Sequence, residues 1–320
     1  MDNVEVLRER LSPFQIELSE LEPHLRVDDS EAILLLVGTF NEGLANETSD
    51  IDLLLVYPRG RYVRGLSKVE SETAKAVSPV IQGDSSFASD NVLIVNRTLE
   101  HGQKLQITVT TEEYVVALQD GIVARNDGYR EQIAGVAAGK QRQGRILNTM
   151  ESQLVVHRFY SGLVLRNSLA AQRLRARMPL QEAADSVAIR GTSALQILSL
   201  DVKGLLLSHG REELETVLFL HNQMLLHLSS VLLATVDNIT PGEKLFFRLL
   251  KRHREEIGTS IVSDVLDRYA QAPRFAREDP GGIVPFVNDV LGRARLSPLV
   301  AAEYANWSDE ATYPLFARRR

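Results

Sequence analysis

Two carboxylates, Asp50 and Asp52, stand at the mouth of the apolar run Leu53 to Val56. Charge at the edge of a core is costly unless something pairs with it. In a strand, residues i and i+2 share a face. The spacing therefore predicts that Asp50 and Asp52 project together while Ile51 turns into the core. Two like charges so close repel each other, and a divalent cation removes the conflict. Oxygen ligands of this kind suit Mg²⁺, with Mn²⁺ as a substitute. Upstream, Gly38 and Thr39 end a second apolar run, Ala32 to Val37. A glycine there lets backbone approach a ligand, free N–H groups at such a turn favour phosphate, and the Thr39 hydroxyl adds a donor. Gly43 eases the turn that follows. A phosphate cradle beside metal-holding carboxylates is the arrangement that nucleotidyl transfer needs, because the ion neutralises charge developing on phosphate oxygens.

The elements that must position these residues are legible from pattern. Glu31 to Val37 and Leu53 to Val56 read as buried strands, the second ended by Pro58 and Gly60. Residues 3–26 read as helical with a break near Pro13, and 66–77 as a helix. The stretch 92–111 gives two β-rich runs around His101-Gly102, a hairpin with strands near 92–97 and 104–110. Glu112 to Asp120 reads as a helix closed by Gly121. Beyond residue 128 strand signals nearly vanish, and helices are predicted over 141–175, 181–208, 211–236, 242–256 and 259–271, with a Pro- and Gly-rich loop at 272–285. The expectation is an α+β chain: a mixed-sheet domain at 1–128, then an all-helical domain at 129–320.

The stretch Gly38-Thr39, FNEGLANETS, Asp50-Ile51-Asp52, LLLV resembles the signature of the polymerase-β-like nucleotidyltransferase superfamily. Its spacing is similar to that of the minimal and aminoglycoside nucleotidyltransferases, including the wording Ser49-Asp50-Ile51-Asp52. The resemblance is close over residues 31–57 and loose through 120. It implies metal at Asp50 and Asp52 and nucleotide at Gly38, Thr39, Gly43 and Ser49. The stretch 235–250 loosely resembles a Pro-Gly-x-Lys turn of some members, which would bring Lys244 near the nucleotide. As helix chemistry, Thr240 as cap and Pro241 in the first turn already explain that stretch.

Two departures stand out. Thr39 replaces the usual serine and keeps the hydroxyl. The family's third carboxylate should lie on Lys104–Thr110, which holds no acid. With Leu105, Ile107 and Val109 facing the core, Gln106 and Thr108 face the site. Gln106 is then the occupant of the third position, and a neutral amide orients groups but accepts no proton. A base could come from the helical domain, with Asp201 first and Asp185 or Glu182 behind it. It could come from Glu100, Glu112 or Glu113 under a different register, or the site could bind nucleotide without turnover. Arg59, Arg61 and Arg64 read as a solvated basic loop, with contact to the triphosphate or an anionic acceptor as the alternative. Arg158 and Arg166, eight apart on a predicted helix that also holds His157, share one face, for which exposure is the simpler reading and phosphate holding the alternative.

The chain has no cysteine, which excludes disulfides, thiolate metal sites and thiol catalysis. The histidines show no ligand spacing that suggests zinc. Residues 1–128 carry a net charge of −11 and residues 129–320 carry +5, within a total of −6. That total makes long nucleic acids poor partners. The amino terminus lacks a signal-peptide core, and the Ala32 to Val37 run is too short to cross a bilayer, so a cytoplasmic protein is expected. The expected reaction is Mg²⁺-dependent transfer of a nucleoside monophosphate from ATP or another triphosphate to an acceptor hydroxyl on a small molecule or a protein, releasing pyrophosphate. The preference for AMP comes from the resemblance alone. Nothing in the sequence sets the oligomeric state.

Overall fold

The structure is a computed structural model describing residues 3–19, 21, 30–58, 92–99, 102–137, 150–208, 214–240 and 245–308. The expectations for 66–77, Arg59, Arg61, Arg64, Glu100 and Lys244 lie outside the described residues. The chain forms two compact units, 1–121 with 154–179, and 122–153 with 180–320. The division is thus not the single cut at 128. Residues 154–179 pack with the amino-terminal sheet, for a reason the fold makes plain below.

In the first unit, helix α1 (Asn3–Leu11) and a 3₁₀ turn (Ser12–Phe14) lead to β1 (Ile33–Val37), the short helix α2 (Gly38–Glu42) and β2 (Ile51–Tyr57). The hairpin β3 (Leu93–Thr98) and β4 (Lys104–Thr111) follows as expected, its turn closed by Gly102 at φ 82°. Helix α3 (Glu112–Ala137) then continues through Gly121 instead of stopping there. A mid-helix glycine costs only about 1 kcal/mol, and nothing after Gly121 breaks the helix.

The region expected as one long helix at 141–175 is instead helix α4 (Met150–Ser161), strand β5 (Leu163–Arg166) and helix α5 (Ser168–Arg175). The strand adds to the free edge of β1, pairing Leu36 with Leu163 and Leu35 with Val164. Four residues carry too short a pattern to identify a strand; the sheet edge selects it. The sheet order is β3-β4-β2-β1-β5, antiparallel except for the β2–β4 pair.

Strand β1 is buried on both faces, so its sequence ILLLV does not alternate. Leu34 and Leu36 join Ile51, Leu53 and Leu55 in one core layer. Ile33, Leu35 and Val37 join Leu54, Val56, Val155 and Phe159 in the other. Asp52 therefore lies on the sheet face that α4 covers.

Asn167 joins β5 to α5 at φ 56°. Its side chain caps Ala170 N and donates to the Glu31 carbonyl at 2.6 Å. Asn167→Ala is expected to cost about 1–2 kcal/mol in a urea-melt experiment. Asn167→Gly, which tolerates the backbone angle, recovers part of that loss.

The second unit is helical. Its centre is the pair α6 (Leu180–Ser208) and α7 (Leu214–Ala234), close enough that a β-carbon on Gly191 would meet Val231 Cγ2 at 2.6 Å. Helices α8 (Phe246–Arg252), α9 (Arg254–Ile257), α10 (Thr259–Ala270), α11 (Ala272–Glu278), α12 (Ile283–Arg293) and α13 (Pro298–Ser308) complete it. The loop expected at 272–285 is mostly helix, because Pro273 sits in the first turn of α11, where its missing N–H costs nothing. By length and composition α7 could cross a membrane, with a mean hydropathy of 1.5 over its apolar window. That composition is explained by packing: 61% of the window is buried inside the protein.

Candidate active site

The turn after β1 forms because Gly38 takes φ +69°, a conformation glycine adopts freely. A β-carbon there would also lie 2.3 Å from Asp52 Oδ2. Gly38 is thus the surface against which the Asp52 carboxylate rests. Phe40 anchors α2 in the core, edge-on to Phe14 with ring centroids 5.0 Å apart. Gly43 ends the helix at φ 64°, and Leu44 N donates to the Thr39 carbonyl at 2.9 Å. Thr39 itself is half-buried.

The loop into β2 is a side-chain-stabilised turn. Asn46 Oδ1 accepts from Thr48 N, Thr48 Oγ1 and Ser49 Oγ, and Asn46 N donates to Ser49 Oγ at 2.9 Å. Gln103 Nε2 donates to the Ser49 carbonyl. The Ser49 hydroxyl therefore shapes the turn that delivers Asp50. Asp50 is exposed and precedes β2; Asp52 lies within the strand with 16% of its side chain exposed.

The parallel register sets Gln106 beside Asp52 and Thr111 beside Tyr57. Gln106 and Thr108 face the site, as the alternation predicts. Glu112 follows Thr111, so it belongs to the far end of β2, roughly 20 Å along the strands from Gln106. The register removes Glu112 and Glu113 as substitutes for the third carboxylate.

What fills that side of the site is Arg158. Its Nη2 donates to Asp52 Oδ1 at 3.0 Å and to Gln106 Oε1 at 3.1 Å, and its Nη1 donates to Thr108 Oγ1. Gln106 Nε2 in turn donates to Asn96 Oδ1 at 3.2 Å. Arg158 is 8% exposed. Burial pulls its guanidinium below the ordinary value, and Asp52 opposes that shift. An arginine remains charged through such a shift.

Neighbouring residues of α4 hold α2. His157 Nε2 meets Glu42 Oε1 at 3.1 Å, and Asn41 Nδ2 donates to the Ser161 carbonyl at 2.7 Å. Helix α4 is itself pinned at its end, where Arg175 donates to the carbonyls of Phe159 and Gly162. The exposed-face reading of Arg158 is overturned, since it and His157 are both buried in this network. Arg166 does not share their helix, because it lies on β5. The sequence offered one signal: a charged pair, His157-Arg158, flanked by Val155, Val156 and Phe159, which are core residues.

Residues 18–116 match the family model for the nucleotidyltransferase domain. This part of the chain is a nucleotidyltransferase domain. It belongs to the polymerase-β-like superfamily whose signature the Gly38–Asp52 stretch carries. No curated protein matches the chain.

The matched segment ends before α4, so Arg158, which contacts Asp52 and Gln106, lies beyond it. Asp201 is exposed on α6 of the second unit. Glu182 accepts from Asn126 and Arg130, and Asp185 accepts from Gln181. Among the described residues, no three acids or histidines cluster as a metal site would require of protein ligands alone. Two carboxylates at i and i+2, one of them exposed, do fit a single Mg²⁺ whose other ligands are phosphate oxygens and water, its usual habit.

Proposed function

We propose that this chain transfers a nucleoside monophosphate, AMP by the family's habit, from a triphosphate to an acceptor hydroxyl on a small molecule or protein, releasing pyrophosphate. The observation that carries the reading is the packing of the Asp52 carboxylate on Gly38, which joins the phosphate turn and the metal carboxylates into one unit. Asp50 and Asp52 hold Mg²⁺, which when bound neutralises charge on the phosphate oxygens. Backbone N–H groups of the Gly38 turn and the Thr39 hydroxyl orient the triphosphate. Gln106, braced between Asn96 and Arg158, orients an acceptor or water but takes no proton. A cytoplasmic location suits a triphosphate substrate.

A second reading is binding of nucleotide without turnover. It is favoured by one feature: the third position holds an amide tied to an arginine. Calorimetry with ATP and Mg²⁺, run beside a pyrophosphate-release assay over a library of hydroxyl acceptors, separates the two. Release with any acceptor supports transfer. Binding with no release under every acceptor supports the second reading.

A further inference from the structure

The Asp52 carboxylate already has a cation. Arg158 reaches Asp52, Gln106 and Thr108 with one fork, and its burial removes the water that would otherwise share the charge. The two candidate metal carboxylates and this guanidinium together carry a single net negative charge. A guanidinium and a divalent ion on one carboxylate repel each other, and the repulsion is poorly screened at a buried site. A triphosphate offers what would release the arginine: phosphate oxygens suited to its planar fork. Ion and nucleotide then each lower the cost of binding the other, and such coupling is reciprocal.

We propose that Arg158 is a resident counter-cation that competes with the divalent ion for Asp52, so that metal binds weakly alone and tightly only with a triphosphate. The proposal rests on the reading of Asp50 and Asp52 as metal ligands. It adds that a residue beyond the family-matched segment sets when the ion is admitted. Arg158 is a positioning residue here, acting through Asp52.

The test is Mn²⁺ binding, read by electron paramagnetic resonance, with and without a nonhydrolysable ATP analogue. The proteins are the wild-type chain, Arg158→Gln, Arg158→Lys and each of these combined with Asp52→Asn. Wild type is expected to bind Mn²⁺ alone weakly, with the analogue tightening it about tenfold or more. Arg158→Gln binds Mn²⁺ alone about tenfold tighter than wild type and shows little further gain from the analogue. Arg158→Lys keeps the charge but replaces the two-nitrogen fork with a single point charge that cannot span Thr108 on one side and Asp52 and Gln106 on the other, so it falls between the two and covers the case in which the glutamine variant folds poorly. Mn²⁺ affinity unchanged or weakened in both variants overturns the proposal while leaving the metal reading intact, provided Asp52→Asn still abolishes binding. Mn²⁺ binding indifferent to Asp52→Asn in every background overturns the metal reading and this proposal with it.

Discussion

Asp50→Asn and Asp52→Asn are each expected to lower divalent-dependent pyrophosphate release by about 10²–10⁴-fold, the several kcal/mol that a metal ion contributes to a phosphoryl transition state. The two variants are expected to differ in what else they lose. Asp50 is exposed, so its asparagine variant folds with near wild-type stability. Asp52 is the partner of a buried arginine. Its asparagine variant leaves that charge uncompensated, and removing one partner of such a pair costs about 3–5 kcal/mol. Urea midpoints measured beside the release rates therefore separate the chemistry from the fold. Equal, undiminished rates in both variants would remove the carboxylates from the reaction.

The second large effect falls on Gly38. Gly38→Ala combines a positive φ with a β-carbon set 2.3 Å from Asp52 Oδ2. The backbone part alone costs about 1–2 kcal/mol. The remainder displaces the carboxylate, so transfer falls toward the level of Asp52→Asn. Gly102 provides the control: its φ is +82°, but a β-carbon there meets nothing within 4 Å. Gly102→Ala should lose only the backbone part and keep full activity. Equal stability loss and equal activity in the two alanine variants would show that the Gly38–Asp52 contact does not matter.

Much of the site was legible because its signals are local. The Gly38-Thr39 turn, the Asp50-Ile51-Asp52 spacing and the two flanking strands are a contiguous pattern. The period-two alternation of β4 put Gln106 and Thr108 on the correct face before any coordinates. Arg158 was legible only as one of two arginines on a predicted helix face, not as the partner of Asp52. Its contacts to Asp52, Gln106 and Thr108 span 50 to 106 residues, and no spacing rule reaches that far. Strand β5 was hidden for a related reason. LVLR is a strand because β1 has an open edge, not because of its own composition. Missing β5 made Arg158 and Arg166 look like helix neighbours and hid the grouping of residues 154–179 with the amino-terminal sheet. Gly121 and Pro273 show the converse: Gly121 lies inside a helix that tolerates it at small cost, and Pro273 starts a helix in the first turn, where proline is favoured.

If Asp50 and Asp52 share one divalent ion with a triphosphate held at the Gly38 turn, the ion strengthens nucleotide binding only while those carboxylates are present. Titration of a nonhydrolysable ATP analogue into wild type and into Asp50→Asn/Asp52→Asn, with Mg²⁺ and with chelator, tests it most directly. The account predicts that Mg²⁺ strengthens binding to wild type and has no effect on the double variant. An equal strengthening in both would contradict it.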